Sequence, residues 1–208
     1  MADAKNISRL LLKKYQKPAI ALIFSNPLEL LIAAILSAQC TDIRVNEVTG
    51  RLFEKYKTAK DYAVADLNTL EEEIRPTGFF RNKARTVIEC CKQIVDDYKG
   101  EVPRSIDELT GLQGVGRKTA NLVLGNAFGR QAMAVDTHVL RVSQRLGLAH
   151  SSNPDNVEKE LVEEFPKGKL TAINLALILH GRETCRARNP KCSDCLLYNE
   201  CEWLMKTA

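Results

Sequence analysis

The chain has 208 residues, one to one and a half domains at the usual ~100–200 residues per domain, so it can bury a real core. A content of 45% hydrophobic and 27% charged residues excludes a disordered chain, a collagen and a small disulfide scaffold. Thirty basic residues against 26 acidic ones leave a net charge of +4, which permits nucleic-acid binding without requiring it.

Eleven glycines and seven prolines are few for this length and favour long uninterrupted elements. The most apolar stretch, Leu28 to Ala38, is too short to span a bilayer and carries Glu29. Met1 to Lys5 lacks the basic-then-apolar layout of a secretory signal. The expectation is a cytoplasmic protein with reduced thiols, so its seven cysteines ask for another explanation than disulfides.

Apolar residues recur at helical spacing along nearly the whole chain. Asn26-Pro27 opens a predicted helix to about Gln39, with Leu28, Leu31, Ile32, Ile35 and Leu36 on its apolar face. Asp42 is placed to cap the next, which ends near Tyr56. Leu67 to Ile74 reads as a short helix stopped by Pro76-Thr77-Gly78. From Lys83 to Tyr98, before Gly100, the residues Ala84, Val87, Ile88, Cys91 and Ile94 form one face; Cys90 and Cys91 read as packing residues. Ser105 and Glu108 make a capping box for a helix that stops at Gly111. Leu112 to Gly116 is a hairpin leading straight into a helix from Arg117 to Phe128, closed by Gly129. Asp136 or Thr137 caps a helix to Leu146, and two more run from about Asn156 to Phe165 and from about Leu170 to Gly181. No alternating strand pattern or repeat emerges, and the expected fold class is all-α.

Three constellations carry chemistry. Gly114 and Gly116 let the backbone approach a ligand closely, and the helix after them points N–H groups and its positive dipole end outward. That is an anion site suited to phosphate, to which Arg117 and Lys118 add charge. The alternative is a tight helix–helix turn. The capped helix before the hairpin and the basic pair after it favour a helix-hairpin-helix that grips a DNA backbone through Gly114, Val115, Gly116 and Arg117.

Lys118 and Asp136 form the second. A lysine attacks a sugar C1′ only when neutral, and a helix N-terminus disfavours the ammonium. A nearby carboxylate positions the amine, takes a proton and stabilises an oxocarbenium ion. Spacing alone leaves the plainer readings open: Lys118 as a phosphate contact and Asp136 as a helix cap. His138 stands two residues on, where it either orients Asp136 or is a partly buried histidine with its own partner.

The third is Cys185, Cys192, Cys195 and Cys201, four thiols in one short stretch. Structural zinc takes two close pairs, whereas this array has one C-x2-C with wider outer gaps, which better suits an iron–sulfur cube; zinc stays open as the minor alternative. The first gap carries Arg186, Arg188 and Lys191 with no acid, a basic knuckle for phosphate or a loop basic by chance.

Together with Leu36–Asp42, Gly78–Ala84, Gly114–Asn121, Val135–Val139 and Leu179–Arg182, these residues resemble the endonuclease III family of DNA glycosylases and abasic-site lyases, of the helix-hairpin-helix superfamily. The resemblance runs from about Asn26 to Cys201. It implies two lobes: a six-helix barrel of residues 22–130 holding the helix-hairpin-helix near 106–128, and a cluster domain of residues 1–21 plus 131–208, with the active-site cleft between them. It implies Lys118 as the Schiff-base lysine, Asp136 as the catalytic aspartate and the four cysteines as ligands of a [4Fe–4S] cluster. Gln39 would fill the gap left by an extruded nucleotide, and Phe79 would be the wedge beside the orphan base. The family often has proline where Gln113 stands, so a more flexible hairpin is expected here, and often leucine where Phe79 stands. The activity implied is removal of oxidised pyrimidines from duplex DNA, by a bacterial-type, nucleoid-associated monomer with no membrane partner. Relatives that remove adenine generally lack a lysine at the Lys118 position, and a purely binding module would have no use for Lys118 with Asp136.

Overall fold

The structure, a computed structural model, describes residues 3–205 and is helical, with no strand among the described residues. The chain divides into two compact units, Ile20–Gly129 and Met1–Ala19 with Arg130–Ala208.

The first unit holds seven helices: α2 (Pro27–Leu36), α3 (Asp42–Lys55), α4 (Ala59–Ala63), α5 (Leu67–Ile74), α6 (Phe80–Tyr98), α7 (Ile106–Gly111) and α8 (Arg117–Ala127). α6 is its spine, packed by α4 and α5, while α2 packs against α8 and α7 against α8. α2 is buried at every position from Leu30 to Leu36, as its unbroken apolar run requires. Cys90 and Cys91 are both fully buried on α6, and burial alone pushes the Cys90 thiol up to about 12. They are inert packing groups.

The second unit holds α1 (Ala4–Lys14), α9 (Thr137–Leu146), α10 (Pro154–Glu164) and α11 (Leu170–Glu183). Its core joins Ile7 and Leu11 of α1 to Val139, Val142 and Leu146 of α9, Val157 and Leu161 of α10, and Ile173, Ala176 and Leu177 of α11. Leu197, from the irregular segment that follows α11, is fully buried in the same core and so anchors the cysteine-bearing tail.

Several boundaries differ from the periodicity. α2 stops at Leu36 rather than Gln39, because Gln39 takes φ 53 in the left-handed region. Thr41, not Asp42, caps α3 through its hydroxyl. α6 starts three residues early, at Phe80, after Phe79 turns the chain at φ 48. α4 is an additional helix, nucleated by a complete capping box of Thr58 and Asp61. Asp136 caps α9, accepting from the N–H groups of His138 and Val139.

The hairpin between α7 and α8 is closed by Val115 N–H donating to Leu112 O at 3.1 Å. Gly114 sits in it at φ 75, and a Cβ there would collide with Thr86 Cγ2 of α6. Gln113 N–H donates to the Gln93 side chain at 2.6 Å, a bond no proline could make. Where a looser loop was expected, one hydrogen bond ties it to α6, and Gly114 packs closely against Thr86 of the same helix. Gly114→Ala should lower stability by about 2–4 kcal/mol in thermal unfolding. Adding Thr86→Ala should recover only part of that, because the positive φ remains.

Candidate functional site

Gly116 caps α8 without any side-chain bond to the first-turn N–H groups. That first turn carries the positive end of the helix dipole. A Cβ on Gly116 would meet nothing, so neither its backbone angle nor its neighbours demand glycine. What glycine leaves there is an open approach to the α8 N-terminus, the geometry a phosphate needs. The Val115 side chain is buried and its N–H donates to Leu112 O, so it holds the turn. Arg117 is half-buried, whereas Lys118, second in the helix, is exposed and has no hydrogen-bond or ion-pair partner among the described residues.

Asp136 lies in the other unit. Its Oδ1 accepts the His138 and Val139 N–H groups, both at 2.8 Å, which pins the carboxylate at the α9 N-terminus. His138 thus orients Asp136 through its backbone, not its ring, which turns instead to Arg141 Nη2 at 3.2 Å. Arg141 also donates to Gly181 O and twice to Cys185 O, linking α9, α11 and the start of the cysteine segment.

All four clustered cysteines line one cavity with His180, Arg145, Lys191 and Trp203. Arg145 holds the segment at several points. It donates to Cys185 Sγ at 3.4 Å and to Arg186 O and Ala187 O, its own carbonyl accepts from Cys201 Sγ at 3.3 Å, and Trp203 stacks on its guanidinium. His180 is buried with Nε2 3.6 Å from Cys195 Sγ. Burial first, then the Lys14 charge, holds its pKa down to about 4, so the ring is neutral. None of the described cysteines forms a disulfide.

No three of the described His, Cys, Asp or Glu side chains converge closely enough to hold one metal ion. Four thiolates on a single zinc would stand roughly 3.8 Å apart. Four thiols lining one cavity match the donor set of a cluster that takes one thiolate on each iron. The Arg145 donor at Cys185 Sγ also suits a sulfur that carries charge. The residues present fit an iron–sulfur cube.

Arg186, Arg188 and Lys191 are exposed on the loop between Cys185 and Cys192, which Thr184 O closes by accepting from the N–H groups of Arg186 and Lys191. Gln39 and Phe79 are both exposed, Phe79 to 65%. Each sits in the left-handed region, a conformation that costs a bulky residue about 1–2 kcal/mol. A large aromatic held out in water on a strained residue is not a core residue.

Three contributors escaped the sequence. Arg141 and Arg145 stand on α9 among ordinary surface charges, and nothing in their spacing marks them. Lys83 is different: it is 6% exposed, on the buried face of α6 one turn before Val87. A lysine in an apolar stripe was the available signal.

The chain is similar to known proteins. Residues 32–167 match the HhH-GPD superfamily base excision DNA repair protein family. The endonuclease III of Synechocystis is 46% identical over 199 residues, 95% of this chain and 91% of its own. That of Bacillus subtilis is 49% identical over 181 residues, 86% and 83% of the two chains. Among solved structures, a trapped endonuclease III–DNA covalent intermediate superposes with a TM-score of 0.91 at 46% identity, covering 97% of both chains. The chain belongs to the endonuclease III family within the HhH-GPD superfamily of base excision DNA repair proteins.

Proposed function

We propose that this chain is a bifunctional DNA glycosylase and abasic-site lyase that removes oxidised pyrimidines, such as thymine glycol, from duplex DNA as a monomer. The observation that carries the reading is Lys118: an exposed, unpartnered amine in the first turn of an uncapped helix, directly behind a glycine hairpin open to phosphate. Family membership and the likeness to a trapped endonuclease III–DNA covalent intermediate support it. No described helix is long and apolar enough to cross a membrane.

In this reading the N–H groups at Gly116–Arg117 and the basic loop of Arg186, Arg188 and Lys191 bind backbone phosphates. The damaged nucleotide leaves the stack at a few kcal/mol, least for a damaged base, while Gln39 and Phe79 occupy the vacancy. Lys118 Nζ attacks C1′, the C1′–N bond to the base breaks, and the base departs with its electron pair and a proton. Asp136, held through Oδ1, assists through its other oxygen by accepting the amine proton and stabilising positive charge at C1′. The sugar ring opens to a protonated Schiff base. Loss of a C2′ proton then expels the 3′ phosphate by β-elimination, and water releases the lysine.

Cys185, Cys192, Cys195 and Cys201 would hold a [4Fe–4S] cluster, with Arg145 and His180 directed at two of the four sulfurs. When bound, the cluster supplies cross-linking of the tail and no electron to the reaction, since cleavage of a C–N bond by an amine is not redox chemistry.

Lys118→Gln should abolish strand cleavage, a loss of about a thousandfold or more in single-turnover rate, while duplex affinity in a gel-shift titration stays within roughly threefold. Parallel loss of affinity would make Lys118 a phosphate contact. Cys192→Ser should bleach the brown absorbance and lower either the melting temperature or DNA affinity. A colourless variant with both intact would contradict the structural role.

A further inference from the structure

Lys83 is a buried lysine, and among the described residues no carboxylate pairs with it. Its Nζ donates to Leu36 O and to Thr77 O, each at 2.8 Å. Burial pulls its pKa below the ordinary lysine value, opposed only by Cys40. The two acceptors explain why the charge is tolerated. Leu36 is the last residue of α2, and Thr77 ends the 3-10 turn that follows α5. Both carbonyls belong to the orphan set at a helical C-terminus, where the dipole is negative.

What lies just beyond these carbonyls gives the arrangement its meaning. Gln39 comes three residues after Leu36, and Phe79 two after Thr77. Both are exposed, and both are among the few described non-glycine residues at positive φ. Strained residues persist only where their surroundings over-determine them. Apart from Lys83, the hydrogen bonds of these two turns are local: Ser37 Oγ to Ala34 O, Cys40 N to Ser37 O, Thr77 Oγ1 to Ile74 O and Gly78 N to Arg75 O. Among the described residues the single ammonium is their shared hydrogen-bond partner.

We propose that Lys83 is a positioning residue for nucleotide extrusion, fixing the two turns against each other so that Gln39 and Phe79 enter the duplex together. This rests on the void-filling and wedge roles proposed for those two residues. A methionine of similar length would keep the packing of α6 but lose both bonds, so each turn would keep its own shape and the spacing between them would relax.

The test compares two substrates under single-turnover conditions in the full-length chain: a duplex with paired thymine glycol, and one whose abasic site is bulged and already unstacked. Lys83→Met should slow cleavage of the paired lesion by on the order of tenfold or more, and of the bulged site by no more than about twofold. Fluorescence of a 2-aminopurine opposite the lesion should show less unstacking on binding. In a Gln39→Ala, Phe79→Ala background, Lys83→Met should add little further loss. Equal loss on both substrates, or full additivity with the double alanine, would overturn the proposal. A double alanine as active as wild type would instead sink the void-filling reading, whereas an impaired double alanine beside an unimpaired Lys83→Met would sink this one alone. Lys83→Gln, which keeps an amide donor, should fall between wild type and Lys83→Met. If both Lys83 variants fail to fold, its role is stability and the positioning role is wrong.

Discussion

The cap of α8, Gly116, brings no side chain to the first-turn N–H groups, and nothing stands where its Cβ would be. A helix end left this way is electrostatically unfinished, with donors and the positive dipole pole facing outward. An anion completes it, and in a repetitive polyanion the anion also sets register. Much of the same unit serves to hold that end still. Gly114 turns the hairpin against Thr86, Gln93 takes the N–H of Gln113, and α7 and α2 pack along α8. Lys118 inherits its position from this, because the second residue of a helix goes where the first turn goes.

The opposite device appears at the ends of α2 and of the turn after α5. There the negative poles are buried and completed internally, by the ammonium of Lys83. One unit therefore contains a helix N-terminus without a side-chain cap and two C-termini closed by a cation. In the other unit a helix terminus is completed by a carboxylate, Asp136, whose capping bonds fix an oxygen that chemistry can use. Arginines do comparable work around the cysteine segment, donating to its backbone carbonyls and to one thiol sulfur.

Helix existence was legible wherever a cap and an apolar stripe coincided, as at Asn26-Pro27, Ser105 and Asp136. It failed by a few residues at Gln39 and Phe79, because no propensity rule expects a bulky side chain in the left-handed region. α4 carried its capping box in plain view at Thr58 and Asp61, but five residues show no periodicity. Spacing marked the four cysteines as a metal candidate and the glycines as a hairpin, since both patterns are local in sequence, but it left zinc and a plain helix–helix turn open. Lys83, Arg141 and Arg145 act on carbonyls some 40 or more residues away in most of their bonds, and such partners have no sequence signature. For His138 the reading as a partly buried histidine with its own partner holds, but the sequence did not say that the partner is Arg141, one turn further on.

The account turns on Lys118 as a covalent nucleophile. The most direct measurement is borohydride reduction of the protein mixed with a duplex carrying one thymine glycol, followed by peptide mapping of the cross-linked band. The account predicts a stable protein–DNA adduct whose modified peptide carries the deoxyribose remnant on Lys118. A folded, duplex-binding preparation that yields no adduct, or one whose adduct maps to another amine, would contradict it.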